Sequence, residues 1–233
     1  MLSLKKKSAV LALAAGLTLS LAACGNDDSG SDTANSDSAA QEVSKEPVAD
    51  IDMLTGKQTA VTLDAGFVEG ITGLGLMPGV IGGATFDGMA GKVAFPITGG
   101  NVTYYDPASE VTPFVQGRIE HFQSGLTLTK GDTQVALTDF VVDPGTSMLL
   151  GKVAVNGKPF PAPDTEVPLF FLDGSTLNPL QVNEAQGTAV LEGTTVKLTK
   201  TAADALNMVF MTDALTEFFT VGIAEITVAL PQS

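Results

Sequence analysis

The stretch Gly125-Leu126-Thr127-Leu128-Thr129-Lys130-Gly131-Asp132-Thr133-Gln134-Val135-Ala136-Leu137 decides how the chain is read. Apolar and polar residues alternate on both sides of Lys130-Gly131-Asp132. A period of two lines one face of a strand, and a short Gly-containing loop between two such runs is the signature of a β-hairpin. The same grammar recurs along the chain. Strands are expected at Thr59–Leu63, Lys92–Ile97, Thr133–Val142, Ser147–Val155, Val167–Leu172, Thr188–Leu191, Thr194–Leu198 and Val221–Leu230. Each is rich in Val, Thr, Leu or Phe. Gly99-Gly100-Asn101, Asp143-Pro144-Gly145, Asn156-Gly157 and Glu192-Gly193 read as the turns between them. The pair Phe170-Phe171 sends one ring to each side of its strand, as in a strand covered on both faces. The Pro-rich stretch 159–168 reads as a crossover between sheets.

Two segments depart from this period. Ala202, Ala203, Leu206, Val209 and Phe210 fall at helical spacing, as do Phe67, Ile71 and Leu74. Thr59, Val61 and Leu63 stand 135 positions before Thr194, Val196 and Leu198, and each trio leads into one of these helical segments. Two readings stay open: a strand–helix–strand pseudo-repeat at the two ends of the domain, or a chance likeness between strand-rich segments. The expected fold class is all-β, an antiparallel sandwich or barrel-like domain with one or two short helices.

Before this domain lies an address. Lys5, Lys6 and Lys7 precede an apolar run from Ala9 to Leu19, closed by Ala22-Ala23-Cys24, the order of a secretory signal. The run is shorter than the ~20 residues of a membrane span. Leu21-Ala22-Ala23-Cys24 resembles a bacterial lipobox. That resemblance implies that the Cys24 thiol receives a diacylglyceryl group and becomes residue one of the mature chain. Two acyl chains anchor durably where one binds reversibly. From Gly25 to Asp50 the chain turns to Gly, Asn, Asp, Ser, Thr and Ala, too polar to offset its ordering entropy. Residues 1–23 are thus read as a lipoprotein signal peptide and 24–50 as an acylated cysteine on a disordered acidic tether, with a reach of roughly 28 Å. Residues 51–233 are read as a β-rich extracytoplasmic domain on the outer face of the bacterial membrane.

Counts over the 233 residues exclude much else. With 12 Lys+Arg against 26 Asp+Glu, a net charge of −14, the chain has no footprint for a nucleic-acid backbone. One cysteine and one histidine build neither an internal disulfide nor a two-His metal centre. A serine hydrolase would have to use His121, yet the chain holds no Gly-x-Ser-x-Gly elbow. The acidic pairs Asp164 with Asp173 and Asp139 with Asp143 have the spacing of strand-end carboxylates.

Tyr104 and Tyr105 precede Asp106-Pro107, and His121 follows within Gly117-Arg118-Ile119-Glu120-His121-Phe122-Gln123-Ser124-Gly125, where a regular strand would set it on one face with Ile119 and Gln123. The stretch from Gln116 to Val142 is similar in pattern to domains of the HtaA type, β-rich surface proteins of actinobacteria. The resemblance implies haem as ligand, a tyrosine on the iron and a supporting histidine, hence Tyr104, Tyr105 and His121 as the ligand-binding candidates. The chain departs from those domains in having no Trp. Two functions are carried forward: a lipid-anchored, non-catalytic binding module of the cell envelope, and a surface receptor for haem or another small ligand.

Overall fold

The structure is a computed structural model that describes residues 45–160 and 164–231. The lipobox, Cys24 and most of the tether lie outside the described residues. Fourteen strands and two helices follow in order: β1 (Ala49–Ile51), β2 (Lys57–Leu63), α1 (Ala65–Gly73), β3 (Met77–Gly82), β4 (Thr85–Asp87), β5 (Lys92–Pro96), β6 (Gly99–Tyr104), β7 (Val115–Lys130), β8 (Thr133–Asp143), β9 (Met148–Val155), β10 (Lys158–Pro159), β11 (Val167–Asp173), β12 (Gln181–Asn183), β13 (Thr188–Leu198), α2 (Lys200–Phe210) and β14 (Thr220–Ala229). β1 starts two residues ahead of the boundary expected at Ile51.

All strands belong to one antiparallel sheet, ordered β1-β6-β7-β8-β9-β11-β13-β14-β2-β5-β4, with β3 on the far half of β7. Of the two expected architectures, the barrel-like one applies. A single sheet curls on itself, and the connection from β3 to β4 closes the curl where no ladder joins them among the described residues. The segment expected to cross between sheets instead returns beside β9, since β11 pairs with β9.

The decisive hairpin forms as read. Lys130 pairs with Thr133 across a two-residue loop whose Gly131 takes φ +56°. Asn156-Gly157 makes the same kind of link into β10, both residues at positive φ. Two other expected turns are strand instead. Gly99–Asn101 opens β6, and Glu192-Gly193 is a bulge inside β13, where the register with β14 shifts.

The longest strands bend together. The β7–β8 register shifts between His121 and Gly125, where Gln123 and Asp139 take φ of +57° and +54°. The Gln123 N–H donates to Asp139 Oδ1 at 2.8 Å, and the Ser124 hydroxyl donates to the His121 carbonyl at 3.0 Å. The extra residues reverse the alternation on both strands. Ile119 and His121 point inward before the bulge and Leu126 and Leu128 after it, matched by Val135 and Leu137, then Phe140 and Val142.

Both helices form at the expected places. Asp64 caps α1 through the Phe67 N–H, and Thr199 caps α2 through the Ala202 N–H. These caps are themselves 135 positions apart. In each case the strand before the helix pairs antiparallel with a later strand, β2 with β5 and β13 with β14. α2 buries Ala202, Ala203, Leu206 and Phe210 against one end of the curl. The Thr199 hydroxyl also bonds the Pro168 carbonyl at 2.8 Å, tying that helix to β11.

Gly117 crosses under β6 with φ +116°, and a Cβ there would collide with the Asn101 carbonyl. Gly117→Ala is expected to cost roughly 2–4 kcal/mol of stability, measured as a lower midpoint in a urea titration.

Candidate functional site

The curled sheet encloses a cavity of about 250 Å³. Its walls come from the inward faces of β1, β2, β5–β9 and β11–β14, and none of its lining residues is Asp, Glu, Lys or Arg. Burial grades along it. At one end Thr59, Val61, Val93, Phe95, His121, Phe140 and Ala224 are all buried. At the other, Pro113, Phe114, Pro144, Ser147, Leu177 and Leu180 are half-exposed and Val182 is exposed, so this end is the mouth.

Tyr104 and Tyr105 part company because successive strand residues face opposite ways. Tyr104 is 6% exposed and lines the cavity near the mouth, its ring edge-on to Phe114 with centroids 5.9 Å apart. Its hydroxyl has no hydrogen-bond partner among the described residues. Tyr105 is half-buried on the other face, its N–H donating to the Phe114 carbonyl at 2.7 Å, and does not line the cavity.

His121 lies at the closed end, 2% exposed. Its Nε2 and the Thr59 hydroxyl are 2.8 Å apart, while its Nδ1 has no partner. Burial pushes its pKa down from 6.5 to about 4, so the ring is neutral; backbone groups of Phe140 and Ile119 oppose the shift in part without closing a hydrogen bond to Nδ1. Gln123, expected on the same face, is exposed at the bulge instead. Tyr104 pairs with Val115, six residues before His121 on β7, which at the rise of a strand is roughly 20 Å. The candidate pair therefore shares one cavity face without meeting.

The acidic pairs are spoken for singly. Asp173 accepts from Lys197 at 2.7 Å, which with Ser175 holds its carboxyl well below the usual range. Asp164 meets Lys152 at 3.1 Å, and Asp139 serves the bulge. No cluster of three His, Cys, Asp or Glu able to hold a metal occurs among the described residues. Nor does any serine reach the His121 ring, and the Ser124 hydroxyl is turned to a backbone carbonyl. The cavity itself escaped sequence reading, because inward Val, Leu and Phe look the same whether they fill a core or line a space.

No protein-family model matches the sequence, and no curated protein matches it. Among solved structures, the C-terminal domain of HtaA from Corynebacterium glutamicum aligns with a TM-score of 0.52 at 14% identity, over 77% of this chain and 99% of that one. The haem-binding protein HtaB of the same organism aligns at 0.48 and 12%, over 76% and 94%, and the N-terminal domain of HtaA at 0.44 and 12%, over 77% and 99%. At such identities the likeness to the HtaA C-terminal domain is one of fold.

The depressed pKa of His121 makes stability depend on pH. As pH falls below 6.5 the unfolded chain takes up the proton first, so stability drops until pH reaches about 4 and this group then contributes no further change. The loss is roughly 3 kcal/mol. Urea midpoints from pH 7 to 4 are expected to fall less steeply in His121→Gln than in the wild-type chain.

Proposed function

We propose that the chain is a lipid-anchored, extracytoplasmic receptor that takes a small apolar ligand through the Tyr104 end of the curled sheet, with haem the foremost candidate, and that it performs no catalysis. The observation that carries this reading is the Tyr104 hydroxyl, without a hydrogen-bond partner among the described residues, beside the mouth of a mostly apolar cavity that holds no Asp, Glu, Lys or Arg. The fold shared with the C-terminal domain of HtaA and the sequence pattern of Gln116–Val142 support haem in particular.

The residues present fit haem at one position. A tyrosine oxygen is an established iron ligand, and Tyr104 would supply it. When bound, the group would offer iron as an electrophilic centre for that oxygen. Pro113, Phe114, Leu177 and Leu180 offer an apolar rim, and the lack of cations in the lining leaves carboxylates to water. Tyr105 faces away and His121 lies too deep to share the metal with Tyr104. The signal and lipobox at residues 1–24 support attachment to the outer face of the membrane, with the acidic domain held off anionic headgroups by its charge.

Hemin added to the purified chain is expected to give a shifted, saturable Soret band that Tyr104→Phe abolishes and Tyr105→Phe leaves in place. A spectrum like that of free hemin overturns the haem assignment. For the anchor, metabolic labelling with a fatty acid is expected to mark the wild-type chain and not Cys24→Ser, which should leave the membrane fraction.

A further inference from the structure

We infer that the inner part of the cavity, beyond Tyr104, accepts the long acyl chain of a membrane amphiphile, its polar end left at the mouth. This inference rests on the cavity being the binding site and names a second ligand class for it. Three observations point the same way.

The first is the lining. A chain with 26 acidic residues sets none of them, and no Lys or Arg, along this wall, where His121 is neutral. The inner part thus receives only an uncharged portion of a ligand, because a buried unpaired charge is strongly disfavoured. The second is the shape. Phe95 of β5 and Phe140 of β8, from strands that are not neighbours in the sheet, touch across the interior with centroids 5.2 Å apart, and Phe140 meets Phe170 at 6.4 Å. Together with His121 and Thr59 these rings form a floor. Where Phe95 and Phe140 touch, the interior is narrow, which suits a slender chain better than a rigid macrocycle.

The third is the route of the polypeptide. The Val48 N–H donates to the Tyr104 carbonyl at 2.8 Å, and Ala49 and Ile51 line the cavity. The described chain, which begins at residue 45, therefore meets the domain beside Tyr104. An acylated Cys24, 24 positions before Val48 in the sequence, would supply acyl chains in cis, by tethering rather than by free diffusion.

The test uses cis-parinaric acid, a fluorescent long-chain fatty acid, with the full chain and with Cys24→Ser. One equivalent is expected to bind saturably. Palmitic acid should displace it, and hexadecanedioic acid should do so at least 30-fold less well, since its second carboxylate would have to sit against Phe95 and Phe140. Ala224→Leu, which narrows the passage, should weaken the probe at least tenfold while retaining a cooperative melt. If that variant does not fold, the comparison of the two acids on the wild-type chain decides. Binding only to Cys24→Ser identifies the anchor's own acyl chain as the native occupant, and equal binding by both forms identifies bilayer lipid. No saturable binding to either form, or equal displacement by both acids, overturns the inference. Hemin binding without parinaric acid binding rejects the acyl chain and leaves the receptor reading standing, whereas neither ligand binding rejects both.

Discussion

The bond from the Gln123 N–H to the Asp139 carboxylate holds the rest of the domain in order. β7 is sixteen residues long, and a strand of that length cannot follow a tight curl without a break. A break on one strand alone would turn Leu126 and Leu128 outward while Ile119 and His121 still pointed in. Because β8 bulges at the same level, both strands change phase together, and the bond ties the two irregular residues to each other. The inner face stays apolar along its whole length. Without that agreement there would be no continuous apolar lining, and the cavity would lack a wall.

The cavity and the histidine belong to one balance. His121 is kept neutral in a site that gives only one of its nitrogens a partner, which reduces stability. The small side chains of Ala189 and Ala224 face the interior beside it, so the sheet keeps room there that larger residues would take.

Much of the architecture was legible in the sequence. Thr127 and Leu128 on one side of Gly131 and Val135 to Leu137 on the other obey the period of a strand, and the spacing of Ala202, Leu206 and Phe210 and of Phe67, Ile71 and Leu74 placed the two helices. What escaped reading has a common cause. β3 carries Pro78 and two glycines with little alternation, and β6 opens on Gly99-Gly100, which locally resembles a turn and becomes strand only through pairing with β7. Gly193 looked like a boundary and is a bulge, because the partner strand runs on past it. Of the candidate site, Tyr104 and His121 were legible as residues of interest. Their separation along β7 was not, since a 17-residue gap in sequence can fold back to a contact or, as here, run up one strand and along the next.

The two ends of the ladder are three-residue strands, β1 and β4. So short an edge offers a neighbouring molecule few backbone groups to extend, and Pro78 interrupts the donor row of β3 as well. When two copies collide, this truncation guards against runaway polymerisation through main-chain pairing.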